Sequence, residues 1–114
     1  MFYRTDDDIC PVEEFLDALD SKTAQKVAWV LKLIEEIDIV PRQYFQKLPD
    51  TDDLWECRIQ YGTMIYRILA FFDNGNLVLT HGFTKKSQKT PRSEIERAER
   101  SKTDFMRRKG GKRT

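Results

Sequence analysis

Two amphipathic stretches open the chain. From Pro11 the apolar residues Val12, Phe15, Leu16 and Leu19 recur at helical spacing, which predicts a helix with proline at its first position. A second helix follows almost at once. Asp20 or Ser21 caps it, Ala24, Val27, Leu31 and Ile34 form its stripe, Trp29, Val30 and Leu33 widen the stripe, and Pro41 ends it. From Leu54 the pattern changes to period two, giving three strands up to Pro91 with tight turns between them. A last helix begins near Thr90-Pro91, or at a capping box of Ser93 and Glu96, with a thin stripe of Ile95, Ala98 and Phe105. Residues 42 to 53 read as a loop containing Lys47, Pro49 and three aspartates, and Phe2 to Thr5 as a short opening strand. The broad apolar side of the helix pair needs a surface to cover, and the sheet is the one available. The fold class is therefore α+β: two amino-terminal helices on a mainly antiparallel sheet of three to four strands, then a carboxyl-terminal helix.

The turns set a register. Asn74-Gly75 is a strong two-residue hairpin signal, and Tyr61-Gly62 is a weaker one. Counting from them puts Glu56 opposite Arg67 and beside Gly82, and Arg58 opposite Ile65 and beside Thr84. These residues then share one face with Lys86, and Gly82 leaves an open patch beside Arg67. The other face collects Trp55, Ile68 and His81, then Cys57, Tyr66 and Phe83, as core. Leu54, Ile65, Leu69, Phe71 and Val78 share the arginine face, so part of it must be covered, with the last helix as the nearest cover.

Composition narrows the classes. The chain of 114 residues makes one domain, over 1–108, with a disordered basic tail over 109–114. No apolar run approaches the roughly 20 residues needed to span a bilayer, and Asp6, Asp7 and Asp8 do not fit a signal peptide, so a cytoplasmic location is expected. Cys10 and Cys57 have neither the number nor the spacing of a disulfide framework or zinc site. The net charge of +1 hides an asymmetry: residues 1 to 57 carry 6 Lys/Arg against 14 Asp/Glu, and residues 85 to 114 carry 12 against 4. Such a basic end fits a nucleic acid or an acidic protein, or else a solvated helix and tail.

Nucleotide-binding glycine motifs are absent, and His81, the only histidine, falls between core rows, which leaves no metal cluster and no exposed triad. No cofactor is expected. Arg, Lys, Glu and Tyr remain, and these suffice for metal-free RNA cleavage. In that reaction a ribose 2′-OH attacks the adjacent phosphate, a base takes its proton, cations steady the phosphorane, and an acid protonates the leaving 5′-oxygen. Arginine suits the phosphate because its fork binds two oxygens and stays charged. A lysine crowded by cations can lose its proton near neutral pH and act as base.

The segments Leu54-Trp55-Glu56-Cys57-Arg58-Ile59, Tyr66-Arg67-Ile68-Leu69 and His81-Gly82-Phe83-Thr84-Lys85-Lys86-Ser87-Gln88-Lys89-Thr90-Pro91 are familiar. With Glu94-Ile95, Ala98 and the stretch from Pro11 to Leu16, they resemble the phage-derived branch of the RelE/HigB toxin family over nearly the whole chain. The resemblance implies a RelE-like fold and a toxin that cleaves mRNA in the ribosomal A site until a cognate helix-turn-helix antitoxin neutralises it. Its implied partners are mRNA on the ribosome, with rRNA contacts, and that antitoxin, with no membrane. Carried over by position, Arg58 and Arg67 bind the scissile phosphate, and Lys85 and Lys86 are the basic residues ending the last strand. Strand alternation favours Lys86 as the catalytic one and Lys85 at the rim. Lys89, Arg92, Lys47 and Glu56 complete the expected RNA contacts. Family members often place a tyrosine or histidine near the carboxyl end, whereas here no tyrosine follows Tyr66 and no histidine follows His81. Two alternatives stand beside the nuclease: a module that grips RNA or an acidic protein without cutting, and a structural phage protein whose arginines pair with Glu56.

Overall fold

The first helix, α1 (Pro11–Asp17), starts with proline at its amino end and stops one turn before the second. The second, α2 (Ser21–Glu36), is capped by Asp20, whose carboxylate accepts from the Thr23 amide and hydroxyl, each at 2.9 Å. It ends at Glu36, short of Pro41, with Ile37 already extended. Four antiparallel strands follow in the order β1 (Phe45–Lys47), β2 (Leu54–Tyr61), β3 (Met64–Asp73) and β4 (Asn76–Thr84), and then α3 (Arg92–Gly111). The computed structural model describes residues 1–37, 40–84 and 89–111.

The expected α+β class is the observed one, with the helix pair on one face of the sheet and α3 on the other. The hairpin-side core joins Val12, Val27, Val30 and Ile34 to Cys57, Ile59, Ile68 and Leu79. The α3-side core joins Ala98, Ile95 and Phe105 to Leu54, Leu69, Phe71, Val78 and Phe83. The last helix therefore covers the arginine face, as the apolar residues there required. Phe105 meets Phe71 edge-on with centroids 5.4 Å apart.

Three details depart from the expected pattern. Residues 45–47 form an edge strand where a loop is expected, because Phe45 stacks on Trp55 at 4.9 Å and draws the segment onto β2. The opening segment makes only an isolated parallel bridge, Phe2 to Leu79. And α3 runs on to Gly111, past the boundary expected at 108, with Lys109 bonded to Asp73 at 2.6 Å.

The register differs in two ways with unequal consequences. The Asn74-Gly75 turn is as read, with both residues at positive φ. The preceding turn uses Gly62-Thr63, glycine taking the first position at φ +65, so Arg58 faces Arg67 and Glu56 faces Leu69. That shift is two residues, one full strand period, so every side chain keeps its face. The second departure is a bulge in β4 between the pairs Leu69–His81 and Ala70–Leu79. One extra residue reverses the alternation beyond it. His81 and Phe83 therefore leave the hairpin core and face α3, and Gly82 turns toward α1. The Thr80 hydroxyl donates to the Leu69 carbonyl at the bulge, at 3.1 Å.

Gly82 is thus no open patch beside Arg67. A Cβ there would lie 2.6 Å from Phe15 Cγ, so the glycine marks where the α1 ring presses on the strand. Gly82→Ala is expected to push Phe15 off β4 and lower stability by about 1–3 kcal/mol in urea unfolding. Pairing the change with Phe15→Ala should return part of that loss.

Candidate functional site

The β2–β3 ladder sets Arg58 and Arg67 directly across from each other, on the face that α3 covers. Their environments differ sharply. Arg67 has no solvent exposure and Glu56 only 1%, each lying beneath the start of α3. The Arg67 guanidinium donates to the Thr90 hydroxyl oxygen at 3.2 Å and lies 3.7 Å from Glu56 Oε2. Thr90 in turn donates its hydroxyl to that same carboxylate oxygen. Thr90 is therefore no simple helix cap: its hydroxyl links a buried acid to a buried base. Charge balance explains the arrangement, since a guanidinium inside a protein needs a counter-charge, and Glu56, two residues before Arg58, supplies one.

Arg58 lies at the other end of the row, half-buried, in the wall of a cavity of about 480 Å³ that also includes Lys26, Tyr44 and Gln60. A second, larger cavity of about 840 Å³ lies between the end of α2 and the β3–β4 turn, and includes Trp55, Phe72, Glu35 and Arg42.

His81 sits beyond the bulge, 1% exposed, with Nδ1 3.1 Å from the Thr80 hydroxyl and Nε2 3.1 Å from Glu94 on α3. Burial, with Arg97 and Arg100 nearby, pulls its pKa down from 6.5 to about 4. The neutral ring fits the contact with α3, Nε2–H donating to the Glu94 carboxylate, while the one proton of the Thr80 hydroxyl goes to the Leu69 carbonyl. Because the folded-state pKa lies below the unfolded one, the unfolded chain takes up the proton first. Stability from this residue is full above about pH 6.5 and fades as pH falls toward about 4, by about 3 kcal/mol at 1.36 kcal/mol per unit. His81→Asn should remove that segment of the stability–pH profile, read by urea titration at several pH values.

A protein-family model described as "Phage derived protein Gp49-like (DUF891)" matches residues 14–103, which spans both arginines, the buried acid and most of α3. The chain belongs to this family. Gp49-like proteins are in general a RelE/HigB-like toxin family, which agrees with the motif resemblance at that coarser level. No curated protein matches the chain.

Within this Gp49-like framework, the expected site residues fall into separate places. Arg58, Arg67 and Glu56 come together, but Glu56 faces inward to Arg67 and Thr90, where RNA does not reach it. Lys89 and Arg92 are exposed at the start of α3, Arg92 with its Nε 3.3 Å from Glu96. Lys47 is exposed on β1 across from Trp55, on the face opposite the arginines, so it does not join them. Lys85 and Lys86 lie outside the described residues. The alternation that favoured Lys86 over Lys85 counted no bulge, and so it no longer separates the two.

Thr90, Lys26 and Tyr44 are the residues the sequence did not single out. A threonine before proline looks like a helix start, and Tyr44 sits in a stretch without periodicity, so only tertiary placement exposes them. Among the described residues no three of His, Cys, Asp or Glu converge on a metal position, and no helix is long and apolar enough to cross a membrane.

Proposed function

We propose that the chain is the toxin of a toxin–antitoxin pair and cuts mRNA on the ribosome by 2′-OH attack on the scissile phosphate, without a metal. One observation carries this reading beyond family membership: two arginines directly opposed across the ladder, of which Arg67 lies 3.7 Å from the buried Glu56 carboxylate. Like charges at opposed positions destabilise a sheet, and a fold under no other demand would place an acid or an apolar residue there. An anion is what the pair suits.

Arg58 meets the phosphate and the charge that builds on it in the phosphorane. Arg67, held by Glu56 and Thr90, adds its field from below and fixes the chain where α3 begins. Lys85 and Lys86, which follow β4 in sequence, supply the base or a further cation, and Lys89 and Arg92 bind RNA outside the scissile position. The expected antitoxin is a small helix-turn-helix protein, and the expected setting is the cytoplasm.

The test is a cut on mRNA-programmed ribosomes, with a second message carrying one 2′-deoxy nucleotide at the cleaved position. Cleavage of the first and survival of the second is expected. Intact message in both would overturn the nuclease. One observation favours a second reading, a module that binds RNA without cutting: Arg67 is closed in by the protein's own groups. Salt-dependent RNA affinity with no cleavage product is the result that reading expects.

A further inference from the structure

The outer side of α2 carries a group of residues that the packing of the domain does not use. Thr23, Val27, Val30, Leu31 and Ile34 are buried, and the positions turned away from them are Lys22, Gln25, Trp29 and Lys32, all exposed, with Lys26 half-buried at the border. Trp29 lies near the middle of that outer side. It stays 57% exposed even though the Lys26 ammonium sits 5.1 Å from its ring. Residues 1 to 57 hold 6 Lys/Arg against 14 Asp/Glu, and half of those cations lie here, at positions 22, 26 and 32. None of the three lysines is in an ion pair with a described residue. The acids of α2, Glu35 and Glu36, come only at its last turn, past the lysines. A single apolar residue on a surface is ordinary. An indole set among three cations has instead the anatomy of a protein interface, an aromatic anchor at the centre and charges at the rim.

The charges select the partner. Lys22 to Lys32 spans about 15 Å of helix, and carboxylates at helical spacing on a second helix match that length. A nucleic acid fits less well, because its backbone would run on over α1, where Glu14 and Asp17 are exposed, and because Lys26 already lies against the indole. We propose that the outer face of α2 docks an acidic amphipathic helix of a partner protein, with an apolar side chain packed on Trp29 and carboxylates against Lys22, Lys26 and Lys32. This surface lies on the other side of the sheet from Arg58 and α3 and uses neither, so it stands apart from the RNA reading.

The probe is a fluorescein-labelled, alanine-based helical peptide of about four turns, with a pair of leucines one turn apart flanked by glutamates, titrated into the full chain. Binding that weakens as salt rises is expected. Trp29→Ser should lower affinity roughly tenfold or more, the scale of a central anchor. The triple variant Lys22→Gln, Lys26→Gln, Lys32→Gln should lower it about tenfold at low salt and remove the salt dependence, while Arg97→Gln, on α3, should change little. Should Trp29→Ser fail to fold, the triple variant decides alone. Full affinity in both variants overturns the surface, as does a wild type that does not bind the peptide. Loss in Trp29→Ser alone overturns the acidic character of the partner, and loss in the triple variant alone overturns the anchor. A single-stranded hexaribonucleotide that binds through Trp29 and the lysines, where the peptide does not, makes the face an RNA contact and overturns the protein partner.

Discussion

Arg67→Ala is expected to lower the unfolding free energy by about 3–5 kcal/mol, enough to leave a domain of this size marginal at 37 °C. The cost arises in what stays behind. Glu56 keeps its burial and loses its cation, and Thr90 is left with one polar neighbour in place of two. A charge so placed draws in water and opens the start of α3. The double variant Arg67→Met with Glu56→Leu should recover most of the loss, since two apolar residues of similar volume leave no buried charge unpaired and only the Thr90 hydroxyl without its two partners. Urea unfolding of wild type, Arg67→Met, Glu56→Leu and the double variant closes the cycle. Additive losses would show that Arg67 and Glu56 do not act as a pair. The same expectation bears on function: lost toxicity in Arg67→Ala reports stability as much as chemistry, so this arginine is a poor probe of cleavage.

How much of this was legible in the sequence follows from which rules are local. Asn74-Gly75 set one turn correctly because both residues tolerate positive φ, and Pro11 and Asp20 placed two helix starts. Misplacing the other turn did little harm, because a slip of one strand period moves partners without moving faces. The bulge did more. It has no strong local signature within Leu77-Val78-Leu79-Thr80-His81-Gly82-Phe83, and one uncounted residue carried His81, Gly82 and Phe83 to the wrong sides. Thr80 and His81, two polar residues in an apolar run, were the available hint, with Gly82 marking the tight contact to Phe15. The arginine face was read correctly, but its depth was not. Periodicity gives the side of a sheet a residue points to, whereas burial depends on how far α3 reaches, and Thr90 extends that cover over Arg67. The cavity beside Arg58 lay further out of reach, since Lys26, Tyr44 and Gln60 come from three separate segments.

Arg58→Ala is expected to reduce mRNA cleavage by roughly 10²–10³-fold, the scale set by losing one preorganised donor to a developing oxyanion. Arg58 stands half-exposed at the cavity wall, unlike the fully buried Arg67, so water reaches whatever its removal leaves behind, and stability should change by no more than about 1 kcal/mol. That separation is what makes the two opposed arginines informative together: one variant loses the fold with little to say about rate, the other loses rate while the fold stands. Arg58→Lys refines the point. A lysine keeps the charge but gives up the planar fork, so RNA affinity should stay close to wild type while the cleavage step falls by about tenfold or more. Single-turnover cleavage with urea unfolding of the same preparations measures both quantities. Cleavage by Arg58→Ala at the wild-type rate, in a protein of unchanged stability, would mean that phosphate is held elsewhere. A parallel collapse of rate and stability would instead make Arg58 a second structural cation like its neighbour across the ladder.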